Sequence, residues 1–225
     1  MTIHPTAIVE DGAQLGVGCV IHAHAIVTRH CVLGDGVVVH PFAVVGGDPQ
    51  DLTFDPATRS GVRIGARTVI REHVTIHRAT KADSWTEVGA GCFLMVSCHV
   101  AHDCRLADKV IMANVALLAG HVQIGEGAVV GGSAGVHQFC RVGVHTMLAA
   151  AAVVLQDVPP YVTVQGYPAK PHGTNNEGLR RRGFTAADIL QIRRAYKTLY
   201  RENLSLDEAR AIFDDPNQYA PVGGL

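Results

Sequence analysis

An aliphatic side chain recurs at every sixth position through most of this chain. Counting from residue 3 in steps of six, each position up to residue 45 is a branched aliphatic residue, and the same frame resumes at 64 and again at 88. We call these positions leader residues. They are Ile3, Val9, Leu15, Ile21, Val27, Leu33, Val39 and Val45, then Ile64, Ile70 and Ile76, and finally Val88, Leu94, Val100, Leu106, Met112, Leu118, Ile124, Val130, Val136, Val142, Leu148 and Val154.

This period of six predicts a parallel β-helix. It fits neither the 3.6-residue period of an α-helix nor the alternation of an ordinary strand. Three short strands with tight corners make a triangular coil of about 18 residues, and such coils stack into a prism. A small or β-branched residue follows each leader by four positions, as Ala7, Cys19 and Cys98 do, and fits where the interior narrows. At a strand spacing of about 4.8 Å, roughly eight coils give a prism of about 38 Å.

The frame breaks twice, and both breaks are predicted loops that leave the prism. Residues 46–63 include the stretch GGDPQDLTFDPATRSG, which is rich in Gly, Pro and Asp, and residues 81–87 read KADSWTE. A β-helix has no pocket of its own, so we expect these loops to reach over a cleft or a neighbouring subunit. Asp51 in the longer loop is therefore a candidate contact for an acceptor substrate.

After residue 160 the period disappears, which divides the chain into a β-helix (1–160) and a segment of loop and helices (161–225). The stretch QGYPAKPHG at 165–173 is typical of a loop. Thr185 and Asp188 form a start like a capping box, and apolar residues then follow at helical spacing. Ser205 opens a further short helix.

Composition and charge exclude several classes of protein. The formal net charge is -1, which gives no global reason to expect a nucleic acid partner. The N-terminus has no basic segment followed by an apolar one, and the longest apolar run, from Leu148 to Leu155, is far too short to span a membrane. We expect a cytoplasmic protein with no integral membrane segment. All six cysteines occupy the small inward position, which favours buried thiols over disulfides or a redox site.

The histidines carry more chemistry than a scaffold needs. His4, His22 and His40 are 18 residues apart and predict a structural ladder on one face. His102, His121 and His137 follow leaders on three successive coils of another face, and we expect His99 at the preceding corner. Three interpretations stay open at this point: a zinc site as in β-helical carbonic anhydrases, acid-base catalysis by His102 paired with Asp103, and a purely structural cluster.

Six stretches carry a family resemblance: VTIHR (74–78), HVAHDC (99–104), LAGHV (118–122), GVHQF (135–139), QDVPPYV (156–162) and NEGLRRRGF (176–184). Together they resemble the UDP-N-acetylglucosamine O-acyltransferases of lipid A biosynthesis, a hexapeptide-repeat family. The resemblance implies a left-handed β-helix that assembles as a homotrimer. It also implies transfer of a 3-hydroxyacyl chain from acyl carrier protein to the 3-hydroxyl of the UDP-sugar, with neither a metal nor a cofactor.

The resemblance also implies roles for individual residues. His102 matches the general base, Asp103 its orienting partner and Gly120 the backbone donor to the oxyanion. Substrate-binding positions are matched by His99, His121, His137 and Gln138 along the cleft and by Asn175, Glu177, Arg181 and Arg182 at the nucleotide. Eight basic residues against two acidic ones between Lys170 and Arg201 give a local charge of +6, which suits docking of an acidic carrier protein.

Two departures from the family pattern affect the prediction. Thr53 stands where the family usually has lysine, which removes a cation that the resemblance implies near the sugar nucleotide. The chain also starts about one coil late and ends early, and we expect its terminal helices to be short. Acyl transfer to nitrogen of a related UDP-amino-sugar, a zinc lyase and a non-catalytic binding protein are the alternatives. The acyl length is not fixed by the sequence, although Ala149 to Ala152 suit the lining of a hydrocarbon groove.

Overall fold

The computed structural model describes residues 1–214. Within residues 1–214, twenty-five strands precede three helices, and most strands are only two residues long. In chain order the strands are β1 (Thr2–Ile3), β2 (Ile8–Val9), β3 (Gln14–Leu15), β4 (Val20–Ile21), β5 (Ile26–Val27), β6 (Cys31–Leu33), β7 (Val38–Val39), β8 (Val44–Gly47), β9 (Gly61–Ile64), β10 (Val69–Ile70), β11 (Thr75–His77), β12 (Trp85–Val88), β13 (Phe93–Leu94), β14 (His99–Val100), β15 (Arg105–Leu106), β16 (Ile111–Met112), β17 (Leu117–Leu118), β18 (Gln123–Ile124), β19 (Val129–Val130), β20 (Gly135–Val136), β21 (Arg141–Val142), β22 (Met147–Leu148), β23 (Val153–Val154), β24 (Val162–Gln165) and β25 (Lys170–Thr174).

Every third strand joins the same sheet, so the chain winds round three parallel sheets. The first sheet runs from β1 through β4 and β7 to β22 and then to β24 and β25, the second from β2 to β23, and the third from β3 to β21. Leaders stack on leaders along each sheet, as Val100 pairs with Leu118 and Leu118 with Val136. The 18-residue coil predicted from the repeat is thereby confirmed.

The interior of the prism consists of the leaders and the small residues that follow them by four. From the second coil onward the leaders are buried, and a single core cluster extends from Cys19 to Ala169. Full burial of one such aliphatic side chain stabilises the fold by about 1.5–3 kcal/mol. All six cysteines are free and buried, as predicted.

The corners have a recurring backbone conformation. The third residue after many leaders has a positive φ, for example 60° at Asp103, 63° at His121 and 66° at Phe139. Aspartate and histidine adopt this left-handed conformation more readily than most non-glycine residues. The side chain at this position therefore projects from the corner between two sheets rather than from a sheet face.

The two loops have different limits from those predicted. The long loop is residues 48–60, and the short loop is residues 78–84. The predicted ranges 46–63 and 81–87 were wrong at their ends because β9 and β12 begin before the leader and pair along four residues, from Trp85 with Gly61 to Val88 with Ile64. The loops are joined to each other by Arg59, whose guanidinium lies 2.6 Å from a carboxylate oxygen of Asp83.

The segment after the prism is not the plain loop that was predicted for 165–173. Strands β24 and β25 form an antiparallel hairpin, because Val162 to Gln165 continue the first sheet and Lys170 to Thr174 fold back along them. Helices α1 (Asn176–Arg181), α2 (Ala186–Arg201) and α3 (Leu206–Asp214) follow. The predicted capping box at Thr185 and Asp188 is confirmed.

A second small core joins the helices to the end of the prism. It consists of Tyr161, Leu179, Ile189 and Ile192. No helix within residues 1–214 is long and apolar enough to cross a membrane. Residues 215–225, with which the predicted C-terminal segment ends, lie outside the described residues.

Candidate functional site

The second sheet and its corner carry the predicted catalytic residues on successive coils. His102, Gly120 and Gln138 each lie two residues after a leader, and these leaders pair with one another. His99 lies on this sheet as the first residue of β14, with its side chain outward. The predicted corner position of His99 was wrong, because the residue before a leader belongs to the strand and pairs with Thr75 and Leu117.

An open cavity of about 480 Å³ covers this part of the second sheet. Three of the predicted histidines line it together with Gly120 and one residue of the long loop, Gln50. Apolar side chains form the rest of the wall. The lining residues are Gln50, His77, His99, Ala101, His102, Leu117, Leu118, Ala119, Gly120, Gly135, Val136, His137, Val153 and Leu155, and we call this space the histidine cavity. A lining of histidines and apolar side chains suits a substrate with both polar and apolar parts.

His102 and Asp103 form a hydrogen-bonded pair at the cavity wall. Nδ1 of His102 lies 2.8 Å from Oδ2 of Asp103, and the two side chains are 21% and 11% exposed. With Nδ1–H donating to the carboxylate, Nε2 of the neutral ring is an acceptor. The tautomer follows from this bond, and it is the one that a general base requires.

Two threonines hold Asp103, one at its carboxylate and the other at its backbone. The hydroxyl of Thr80 donates to Oδ2 at 2.7 Å, and the backbone N–H of Asp103 donates to the hydroxyl of Thr86 at 2.8 Å. Burial raises the pKa of Asp103, but the hydrogen bonds from Thr80 and His102 outweigh it and lower the pKa below its usual value. The carboxylate is therefore ionised at neutral pH and can stabilise a charged imidazole.

Gly120 lies directly against the imidazole of His102. A Cβ atom at Gly120 would lie 2.5 Å from Cε1 and 2.7 Å from Nε2 of His102, closer than real Cβ contacts come. The backbone N–H of Gly120 donates to no group within residues 1–214, whereas its neighbours Ala119 and His121 donate to Val136 and His102 carbonyls. A glycine is required here because the ring of His102 occupies the space of a side chain.

His121 does not converge on the same cavity as His102 and His137. It lies at the left-handed corner and lines a second cavity, of about 390 Å³, on the other side of Asp103. Its ring stacks on Phe139 at 4.7 Å, and its Nε2 is 3.7 Å from Oδ2 of Asp103, beyond hydrogen-bonding distance. The three histidines therefore do not line one cavity, but His121 still packs against His102, because their rings meet edge to face with 5.3 Å between the centroids.

Two further histidines stay neutral beside His102. Burial lowers the pKa of His77 to about 4, with smaller contributions from His99 and His102, and burial likewise lowers the pKa of His99. The two rings meet edge to face at 4.7 Å, and Nδ1 of His99 lies 2.7 Å from the hydroxyl of Thr75. Around neutral pH these rings offer hydrogen bonds without carrying charge. His77 was not among the predicted site residues, although it lies in the VTIHR stretch.

Asp51 lies in the long loop, fully exposed beside the cavity. Oδ1 of Asp51 accepts from both the N–H and the hydroxyl of Thr53, each at 2.8 Å. The N–H of Thr53, followed by its hydroxyl, lowers the pKa of Asp51, and the charge of His102 adds a smaller effect. Thr53 thus fixes one oxygen of this carboxylate and keeps it ionised, even though no lysine stands at this position.

The donor atoms of His102, Asp103 and His121 lie within 4.8 Å of one another, a spacing that a metal ion could use. Oδ2 of Asp103, however, already accepts from Thr80 and from His102. Binding a metal through that oxygen and Nδ1 of His102 would break both bonds. The hydrogen bonds therefore favour proton transfer over the zinc interpretation.

The predicted nucleotide contacts form a separate cluster on α1. Asn175 caps the helix by accepting from the N–H of Gly178, and its amide donates to the carbonyl of His145. Glu177 pairs with Arg181 at 2.9 Å. Neither these residues nor Arg182 line the histidine cavity, so one chain does not bring the two clusters together.

Besides His77, three residues around the site escaped the sequence analysis: Arg78, Thr80 and Thr86. Arg78 follows the leader Ile76 by two residues, which is the position of His102 one coil later. The short loop inserts extra residues between these coils, so a search at steps of 18 does not align them. Alignment of the leaders across the insertion would have placed Arg78 directly before His102 in the stack.

Comparisons with known proteins agree with the fold. The family described as "Udp N-acetylglucosamine O-acyltransferase; Domain 2" matches residues 157–222. The acyl-[acyl-carrier-protein]–UDP-N-acetylglucosamine O-acyltransferase of Burkholderia mallei (strain SAVP1) is 49% identical over 242 residues, covering 99% of this chain and 90% of the relative. That of Burkholderia orbicola (strain MC0-3) is 50% identical over 228 residues, covering 92% and 86%.

Solved structures give the same result. A UDP-N-acetylglucosamine acyltransferase from Campylobacter jejuni has a TM-score of 0.85 and 38% identity, over 97% of this chain and 92% of that one. The corresponding Arabidopsis structure has a TM-score of 0.81 and 32% identity, over 96% and 91%. The predicted fold class, a left-handed parallel β-helix followed by a small helical segment, is confirmed. The chain belongs to the acyl-[acyl-carrier-protein]–UDP-N-acetylglucosamine O-acyltransferase family.

Proposed function

We propose that this protein transfers a 3-hydroxyacyl chain from acyl carrier protein to the 3-hydroxyl of UDP-N-acetylglucosamine, the first step of lipid A biosynthesis. The names of its relatives support the donor and the acceptor. The observation that carries the mechanism is the 2.8 Å bond from His102 to Asp103 at the wall of an open cavity. This arrangement is what a general base needs to activate a sugar hydroxyl.

His102 is the proposed general base. A sugar hydroxyl has a pKa far above neutral and attacks a thioester slowly unless its proton is removed during the attack. Nε2 of His102 accepts that proton while the oxygen forms a bond to the thioester carbon. Asp103 keeps the ring in the required tautomer and stabilises the imidazolium that results.

Gly120 is the proposed donor to the tetrahedral oxyanion. Its N–H has no partner within residues 1–214, and the residue itself lies against the imidazole of His102. A backbone donor that is already in position costs no reorganisation when negative charge develops on the oxygen. The intermediate then collapses with loss of the carrier thiolate, which takes the proton from His102.

No covalent acyl-enzyme is needed in this scheme. The thioester is already activated, and the six thiols of the chain are buried in the prism. Burial raises the pKa of Cys104, the cysteine next to the pair, to about 12, so it is a thiol and not a nucleophilic thiolate. We propose that neither a metal nor a cofactor takes part.

The sugar end of the acceptor is proposed to lie against Asp51, His99, His137 and Gln138. His99 and His137 line the histidine cavity, and Asp51 lies in the loop beside it. We propose that Asn175, Glu177, Arg181 and Arg182 bind the nucleotide, and that His121 contributes from its corner. The separation of the α1 cluster from the cavity supports a site shared between two subunits.

A homotrimer is proposed from the contrast between the outer faces of the prism. The outward positions of the first sheet are mostly apolar, namely Val20, Val38, Val69, Phe93, Ile111, Val129 and Met147. Those of the third sheet are polar or charged from β9 onward, namely Arg63, Glu87, Arg105, Gln123 and Arg141. An apolar face of this length supports burial against other copies. Light scattering should give a particle three times the 23.9 kDa chain.

The basic surface of α2 is the proposed docking site for the acidic carrier protein. Arg193 and Arg194 pair with no carboxylate within residues 1–214, and they line a groove together with Lys197 and Gly173. Unpaired cations on one helix face attract an acidic partner and speed its association.

The test is incubation with UDP-N-acetylglucosamine and carrier-linked 3-hydroxyacyl chains of several lengths, followed by mass analysis. We expect one acylated nucleotide sugar whose acyl group is released by mild base, as an ester is. An acyl group that resists base would indicate transfer to nitrogen instead. Absence of any acylated nucleotide sugar with every chain would refute the proposal.

A further inference from the structure

Arg78 is the largest side chain that is fully buried in the described part of the protein, at 1% exposed. Arginine is rarely buried to this extent unless each of its donors finds an acceptor. It follows β11 and opens the short loop, one coil before His102. The predicted functional residues do not include it, so its burial calls for a physical reason.

All side-chain partners of Arg78 lie in the long loop. Nε donates to Oδ1 of Asp48 at 2.7 Å, Nη1 to the carbonyl of Thr58 at 2.6 Å, and Nη2 to the carbonyl of Pro56 at 2.7 Å. The guanidinium carbon also lies 4.7 Å from the centre of the Phe54 ring. One planar cation thus joins the beginning, the middle and the end of residues 48–60.

The same short segment also holds the catalytic pair. Two residues after Arg78, the hydroxyl of Thr80 donates to Oδ2 of Asp103 at 2.7 Å. The long loop in turn brings Gln50 to the wall of the histidine cavity and Asp51 next to it. Residues 78–80 therefore connect the loop beside the acceptor site to the carboxylate that orients His102.

We propose that Arg78 is a positioning residue for the sugar-nucleotide acceptor, holding the long loop so that Gln50 and Asp51 face His102 across the cavity. This inference rests on the proposed function of the site. Lysine cannot replace Arg78, because an ammonium group has no planar fork that reaches three separate acceptors. Loss of those bonds frees the loop while the prism, whose core is aliphatic, remains intact.

The kinetic test uses Arg78→Lys, Asp51→Asn and the double variant. Arg78→Lys should raise the KM for UDP-N-acetylglucosamine roughly tenfold, with little change in the KM for the acyl carrier donor. Because Arg78 acts through Asp51, the double variant should be no worse than the more severe single variant. Additive effects of the two substitutions would overturn the proposal. Arg63→Lys, the same exchange at an exposed arginine stacked on Trp85, is the matched control.

Hydrogen exchange gives an independent readout without substrate. Amides in residues 48–60 should exchange several-fold faster in Arg78→Lys, whereas those in β14 to β20 should not change. Unchanged exchange in the loop would overturn the proposal even if activity fell. Faster amide exchange in the loop of Arg78→Lys, in a protein that forms no acylated sugar, would instead support the loop anchor and refute the proposed function.

Asp48→Asn serves as the second variant if Arg78→Lys does not fold. Asp48 is half-exposed and contributes one of the three acceptors. Asparagine keeps an oxygen that can accept from Nε but removes the carboxylate charge, so the substitution weakens the anchor. We expect the same kinetic changes as for Arg78→Lys but smaller, with the KM for the acceptor raised about threefold. A rise in the KM of the acyl donor alone would contradict the assignment.

Discussion

Two groups of histidines lie on the same β-helix and differ in their surroundings. In the first coils His22 stacks on His40 at 4.8 Å, and Phe42 stacks between His24 and His73. In the central coils His137 and His121 occupy the same positions of the repeat, one and three residues after a leader. Position in the repeat therefore does not make a histidine functional.

The carboxylates beside the two groups explain the difference. Nδ1 of His40 lies 3.5 Å from Glu72, but two hydrogen bonds from Arg71 engage that carboxylate and lower the pKa of Glu72 to about 2. Only histidines lie within ion-pair distance of Asp103 in residues 1–214. A carboxylate that no arginine occupies, beside a cavity, distinguishes the catalytic candidate from a structural stack.

The largest expected effect is the loss of the base. His102→Ala should lower kcat for sugar acylation by about 10² or more, because no other group takes the proton of the attacking hydroxyl. His40→Ala in the first stack is the matched control and should keep kcat within about twofold. Both are measured from the initial rate of acylated product. An unchanged rate in His102→Ala would remove His102 from the mechanism.

Substitution of the carboxylate beside each group tests the comparison of the two histidine groups directly. Asp103→Asn should lower kcat by about 10-fold to 10², since an amide neither stabilises the imidazolium nor fixes the tautomer equally well. Glu72→Gln changes the equivalent partner in the first group and should leave kcat nearly unchanged. Equal losses in the two variants would show that the arginine next to Glu72 is not what separates the two groups.

A methyl group at Gly120 should disturb the ring of His102. Gly120→Ala places a Cβ 2.5 Å from Cε1, so the imidazole must move by several tenths of an ångström. We expect kcat to fall about tenfold, since small misplacements of a catalytic group are costly. Gly132→Ala is the control, because a Cβ there meets nothing closer than 3.5 Å. A wild-type rate in Gly120→Ala would contradict the close packing.

The smallest effect concerns stability against pH. The pKa of His77 falls from 6.5 to about 4 on folding, so between these values the unfolded chain binds a proton that the folded chain does not. The free energy of unfolding should therefore fall as the pH drops from 6.5 towards 4. His77→Asn should flatten this dependence in urea unfolding at pH 7 and pH 5, whereas His22→Asn in the first stack should not. Parallel curves for His77→Asn and wild type would refute the buried neutral state.

The prism was predictable because its signal is repeated many times. Each coil repeats the same six-residue period. A polar residue cannot replace a leader, because the leaders fill a closed interior. The limits of the loops were harder to predict. Strand β12 pairs along Trp85 to Val88 through backbone hydrogen bonds, which the pattern of side chains does not indicate. The hairpin of β24 and β25 was missed for a related reason, since Gly166 and Pro168 read as a loop while the strands flank them.

The site was predictable where its residues adjoin in sequence. His102 and Asp103 are neighbours, and Gly120 lies one coil away at the regular step. Thr80 and Thr86 contact Asp103, whereas Arg78 binds the long loop. The short loop interrupts the regular step at this point, so spacing gave no indication of these contacts. The assignment of His121 to a different cavity from His102 required the backbone conformation of the corner, which the sequence does not state.

The buried cysteines can report where and when the prism opens. They are spread along the stack, with Cys19 and Cys31 in early coils, Cys92 and Cys104 in central ones and Cys140 near the end. Burial raises the pKa of Cys31 and Cys104 to about 12, so thiol reagents are almost unreactive towards the closed prism. Labelling at a given cysteine therefore marks the moment when its coil separates from its neighbours. Peptide mass analysis of timed labelling would show, without any engineered probe, whether this solenoid frays from its ends or opens as one unit.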